Sequence, residues 1–158
     1  MNELIKLENI KVNQEPSSWQ ESIKIVGELL LDSNCIDEEY IDAMIDAVND
    51  LGPYIVIGKH IAIAHAAPEK HVKSNGLSCA ILSKPVEFGS QNDPVKVLFA
   101  ISSVDGKSHM NMLMDLAKII GEDDEVVTLL SQCTTVESVY EVINGVNNGT
   151  RPLSHREG

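Results

Sequence analysis

The sequence is short of basic side chains. Only 12 lysines and arginines stand against 24 acids, a formal charge of −12 over 158 residues. Such a chain repels a phosphate backbone and an anionic lipid surface but favours encounter with a basic protein, so no nucleic-acid partner is expected. Cysteine is also sparse. Cys35, Cys79 and Cys133 are odd in number, far apart and without C-x-x-C spacing. They read as reduced thiols rather than a disulfide framework or a zinc site. Long apolar runs are missing too. Nothing approaches the roughly 20 residues that span a bilayer, and MNELIKLENIKVNQ has no apolar signal-peptide segment. A soluble, cytoplasmic chain with no membrane insertion is expected. G-x-G-x-x-G, P-loop and G-x-S-x-G motifs are absent, which leaves nucleotide binding and a serine nucleophile without support. What is present suits a core: 43% apolar and 23% charged residues at a one-domain length.

Periodicity divides the chain into helices, then strands, then helices. Ile10-Lys11-Val12 reads as an edge strand. Ser18-Trp19-Gln20-Glu21 fits a capping box, and Ile23, Val26 and Leu30 continue it as a helix over 18–31. A second helix over 37–50 carries Tyr40, Met44, Ala47 and Leu51 on one stripe, and Gly52-Pro53 ends it. The apolar runs Tyr54–Ile57, Ile61–Ala64, Leu77–Leu82 and Val95–Ile101 read as strands, with Lys84–Phe88 as a short companion at an edge. Val95–Ile101 is nearly all apolar, as in a strand covered on both faces. Ser108 is expected to cap a helix bearing Leu113, Leu116, Ala117 and Ile120, with Gly121 closing it. Two shorter helices, over 122–130 and 136–146, follow on either side of Thr134-Thr135. The pattern predicts a single layered α/β domain over 1–146 and a flexible tail over 147–158.

Histidine carries the chemical signal. His60, His65 and His71 crowd into twelve residues, with His109 further along. Their spacing matches no compact metal-ligand pattern, so no metal site is expected. His65 follows Ile61–Ala64, where a strand gives way to a loop, and small residues flank it. The carboxyl end of a strand is where α/β sheets place reactive groups. His109 falls in the first turn expected after Ser108, where unpaired N–H groups suit an anion. Lys59, Lys70, Lys73 and Lys107 are candidate local cations, and Met110, Met112 and Met114 a candidate soft rim for a partner.

Gly52-Pro53-Tyr54-Ile55-Val56-Ile57, Ile61-Ala62-Ile63-Ala64-His65-Ala66, Pro68-Glu69 and Gly76-Leu77-Ser78 stand in an order that resembles a known family. Pro85-Val86-Glu87-Phe88-Gly89-Ser90, Asn92-Asp93-Pro94-Val95 and Ser108-His109-Met110-Asn111-Met112-Leu113 continue it. Together they are similar to the enzyme IIA (EIIA) component of the bacterial phosphoenolpyruvate-dependent sugar phosphotransferase system (PTS), mannitol/fructose type, and most like its ascorbate-specific branch. The resemblance covers roughly residues 17–145. It implies that His65 is the phosphorylated nucleophile and His109 a second histidine that stabilises the phosphoryl group. It also implies a single three-layer α/β/α sandwich with a central mixed sheet, loading by the phosphocarrier protein HPr, delivery to a cognate EIIB and, indirectly, service to a membrane EIIC, with L-ascorbate as the cargo and no cofactor. A regulatory EIIA-like module is the alternative, its phosphorylation state controlling a transcription factor or transporter. Two positions depart from the family pattern: Ala64 stands where proline usually precedes the histidine, and residues 32–64 contain no arginine.

Overall fold

In the computed structural model, which describes residues 3–67, 71–121 and 124–149, five strands form one mixed sheet between two helical layers. The strands are β1 (Ile10–Gln14), β2 (Val56–Gly58), β3 (Ile61–Ala64), β4 (Gly76–Val86) and β5 (Val95–Ser102). Their order across the sheet is β1-β4-β5-β3-β2. β1 runs parallel to β4 and β3 parallel to β5, while the β4–β5 and β2–β3 pairs are antiparallel. The helices are α1 (Trp19–Asp32), α2 (Glu38–Leu51), α3 (Gly106–Ile120), α4 (Glu125–Ser131) and α5 (Val136–Asn147). This is the expected α/β/α sandwich.

Alternation along the central strands explains the layers. On β5, Val97, Phe99 and Ile101 pack with Leu116, Ile119, Leu130, Val139 and Ile143 from α3, α4 and α5. Leu98 and Ala100 face the opposite way, with Ile23, Val26, Leu30, Tyr40 and Met44 of α1 and α2. β3 divides likewise, Ile61 and Ile63 on one face and Ala62 and Ala64 on the other. Both faces are covered, so these strands read as continuous apolar runs. Small residues on the α1/α2 face let α1 approach closely, and Ser78 Oγ donates to the Val26 carbonyl at 2.7 Å.

The capping expectations divide. Ser18 accepts from the Glu21 N–H, but Glu21 turns back to the Ser17 N–H, one residue earlier than a standard capping box. Thr135 caps α5 through the Ser138 N–H. α3 is capped by Asp105 rather than Ser108: the Asp105 carboxylate accepts from the Ser108 N–H at 2.8 Å, and the helix starts at Gly106. Lys84–Phe88 is not a separate strand, because β4 runs unbroken to Val86. Pro85 is tolerated where the β4–β5 register shifts, between Ile81 and Val86. Leu51 is 70% exposed rather than on the buried stripe. α5 extends to Asn147, and the Asn148 N–H bonds back to Asn144, so the expected tail starts later than 147. Residues 150–158 of that tail lie outside the described residues. No described helix is long and apolar enough to cross a membrane.

Candidate functional site

β3 and β5 are parallel neighbours, Ala64 opposite Ala100, so their carboxyl ends open on the same edge of the sheet. His65 follows β3 directly, and α3 begins four residues after β5. Topology alone therefore brings two histidines 44 positions apart into one place. The His65 and His109 rings lie 5.1 Å apart between centroids. A third ring joins them: Tyr54 meets His65 edge-on at 5.2 Å.

The backbone around His65 is held from two sides. The Tyr54 hydroxyl donates to the His65 carbonyl at 2.9 Å. The buried Tyr40 hydroxyl accepts from the Ala66 N–H at 3.1 Å and donates to the Ile101 carbonyl at 2.9 Å. Burial pushes the Tyr40 phenol up to about 12, so it remains a donor across the ordinary pH range. Neither tyrosine stood out as a site residue in the sequence. Tyr54 reads there as part of an apolar strand, yet the Gly52-Pro53 turn extends through it, with Tyr54 N–H on Gly52 and Val56 N–H on Pro53. That turn was the available signal.

Ring chemistry at His65 follows from one contact. Nδ1 lies 2.8 Å from the Ile63 carbonyl oxygen, which can only accept, so Nδ1 carries the proton and Nε2 keeps its lone pair. His65 is held below the usual histidine value, chiefly by burial, with His109 adding to the effect and the Ile63 hydrogen bond opposing it. Burial also lowers His109. Two adjacent neutral imidazoles, one with a free Nε2 lone pair, suit nucleophilic attack on an electrophilic phosphorus.

The N–H groups expected to meet an anion have partners within the chain. His109 lies in the second half of the first α3 turns, and its N–H already bonds to Asp105. The Asp105 carboxylate occupies the Ser108 N–H, so the chain supplies its own anion to this helix terminus. The Ala66 N–H is taken by Tyr40. Among the candidate lysines, Lys73 pairs with Asp37 at 3.4 Å and Lys59 lies at the far end of β3. Lys107 sits in the first α3 turn, two residues before His109. Lys70 lies outside the described residues, as do Pro68 and Glu69. Val104, Met110 and Met114, near His109 in sequence, are exposed, and Met112 is half-buried.

One described cluster has metal-ligand chemistry: Asp37, Glu39 and His71 bring donor atoms within 4.8 Å of one another. Lys73 already places an ammonium against Asp37. The three cysteines are free thiols, with Cys35 and Cys79 buried.

Residues 3–146 match the model of the family "Phosphoenolpyruvate-dependent sugar phosphotransferase system, EIIA 2". The chain belongs to this family. Among its EIIA relatives, the ascorbate-specific PTS system EIIA component of Escherichia coli (strain K12) is 34% identical over 146 residues, 91% of this chain and 94% of that protein. The solution structure of the mannitol-specific cryptic phosphotransferase enzyme IIA CmtB from Escherichia coli superposes with a TM-score of 0.80 at 29% identity, covering 89% of this chain and 95% of that one. The same fold recurs, at 24% identity and a TM-score of 0.79, in the Escherichia coli mannitol enzyme IIA solved in complex with phosphorylated enzyme IIB, covering 89% of this chain and 97% of that one. As an EIIA, the chain is a component of a phosphoryl-transfer system for sugar transport.

Proposed function

We propose that His65 is the phosphoryl acceptor of this EIIA and that its Nε2 is the atom that takes the group. The observation that carries the reading is the Nδ1 contact with the Ile63 carbonyl, which leaves Nε2 as the nucleophile on the ring that faces His109. The Nε2 lone pair attacks phosphorus as the donor's phosphorus–nitrogen bond breaks, and the donor imidazole leaves with its electron pair. Onward transfer is the same exchange with His65 as the leaving group. Such a loose transition state needs in-line positioning and spread positive charge rather than a covalent helper. His109 is a phosphoryl-stabilising donor, and Tyr54 and Tyr40 fix the backbone that carries the nucleophile.

The donor is phospho-HPr and the acceptor a cognate EIIB, with a membrane EIIC served indirectly and the reaction set in the cytoplasm. The likeness to ascorbate-specific EIIA proteins favours L-ascorbate as the transported sugar. Charge supports a basic donor, since a chain at −12 steers cationic partners toward itself. NMR of the protein phosphorylated by phosphoenolpyruvate, enzyme I and HPr tests the assignment. Phosphate on His65 Nε2 is expected, and phosphate on Nδ1 or on another histidine would refute it. Transfer from the phosphoprotein to an ascorbate-system EIIB should exceed transfer to a mannitol-system EIIB, and the reverse order would refute the sugar assignment.

A further inference from the structure

The end of β3 opposite His65 carries two lysines and a histidine around one cleft. Lys59 and His60 from the β2–β3 turn and Lys96 from the start of β5 line a cleft of about 370 Å³ closed by α4. Across it stand Asp124, Thr128 and Ser131. His60 lies five residues before His65, roughly 16 Å along an extended strand. The two sites are therefore separate.

Lys96 is the one half-buried lysine among the described residues. Neither it nor Lys59 forms an ion pair with a described residue, in a chain with twice as many acids as bases. Two ammonium groups in one cleft favour an anion that enters it. His60 is built in rather than loose. It holds a left-handed backbone, φ 69°, which side chains other than glycine rarely adopt. Its N–H bonds to Asn92, its carbonyl accepts from Lys96 and Val97, and its Nδ1 lies 2.7 Å from the Pro94 carbonyl. With Nδ1 donating to Pro94, Nε2 is the ring nitrogen left for a ligand. A non-glycine residue kept in this conformation by four hydrogen bonds to one segment points to a placed side chain.

We propose that this cleft binds a phosphorylated polyol or sugar. Lys59 and Lys96 hold the terminal phosphate through charge-assisted hydrogen bonds, and His60 Nε2, a lone-pair acceptor, takes a ligand hydroxyl. Asp124, Thr128 and Ser131 take the hydroxyls at the other end. A carboxylate there repels a bare phosphate at the α4 side but accepts from a hydroxyl, which orients the ligand and selects an ester over the free ion.

NMR titrations of the full chain at constant ionic strength test this, with glucose 6-phosphate, inorganic phosphate and glucose as probes. Glucose 6-phosphate should shift the Lys59, His60, Lys96 and Thr128 amides saturably in the millimolar range. Inorganic phosphate should bind about tenfold more weakly and glucose not at all. Lys96→Gln should weaken the sugar phosphate about tenfold, in keeping with loss of one charge-assisted contact. His65→Ala should leave binding unchanged, which separates this site from the phosphoryl site. Shifts confined to the His65 region, no saturation, or unaltered binding by Lys96→Gln would overturn the site. Equal affinity for inorganic phosphate and the ester would overturn the ligand class.

Discussion

Replacing Tyr40 by phenylalanine isolates one hydroxyl that ties α2 to the residue after His65. The ring is 1% exposed and its packing survives the change, so the effect is polar. Two hydrogen bonds disappear: the one accepted from the Ala66 N–H at 3.1 Å and the one donated to the Ile101 carbonyl at 2.9 Å. Ala66 is 8% exposed, so its N–H is left without water or protein partner. An orphaned buried donor costs about 1–3 kcal/mol, and a lost neutral hydrogen bond about 1 kcal/mol, which together give an expected loss of about 2–4 kcal/mol. In urea, with a slope of roughly 1–3 kcal/mol per molar, the unfolding midpoint should fall by about 1 M at unchanged slope. Amide exchange at Ala66 should quicken beyond the global change, because the fixed point next to His65 is gone. A midpoint within about 0.2 M of wild type would refute the reasoning, since it would mean that the hydroxyl contributes nothing net to holding Ala66.

Three further outcomes follow from the same geometry. His65 and His109 are both held below the usual 6.5, so phosphoryl acceptance should stay flat as pH falls to 6.5 and drop only below it, as the nucleophile gains a proton. For stability the sign is the same, since the unfolded chain binds these protons more readily and the fold weakens as pH falls below 6.5. Histidine NMR titration checks this, and a His65 midpoint above 6.5 contradicts it. His109→Ala should slow transfer to EIIB about 10–100-fold, less than the loss of an enzyme's sole oxyanion donor, and His109→Gln should recover part of it. Stopped-flow transfer rates within twofold of wild type for the alanine variant would make His109 a bystander. Gly76→Ala should destabilise by about 1–3 kcal/mol, because a Cβ there meets Cys35 Sγ at 2.7 Å and Leu30 Cδ2 at 3.0 Å in a packed interior. Thermal unfolding measures it, and an unchanged midpoint would show that α1 and the Cys35 turn give way freely.

The layers were legible because both faces of the sheet are covered, which turns β3 and β5 into apolar runs that need no partner to recognise. His65 stood out as a candidate for a related reason: a polar, titratable residue closes such a run. Its partner was visible in sequence, but its setting was misread. Asp105 and Ser108 are both cap formers three residues apart, and the earlier one wins, moving His109 off the orphan N–H groups of the turn. Tyr54 and Tyr40 were hidden because their roles depend on hydroxyls reaching main-chain atoms 11 and 26 residues away, which no local period encodes. The unbroken β4 was hidden by Pro85, an ordinary strand breaker that falls at a register shift.

The central claim is that His65 is the acceptor, and intact-mass analysis after incubation with phosphoenolpyruvate, enzyme I and HPr tests it most directly. The wild-type chain should gain the mass of one phosphoryl group, lost on mild acid treatment, while a folded His65→Ala variant gains none. A His65→Ala variant that loads at the wild-type rate would contradict the account and place the nucleophile elsewhere.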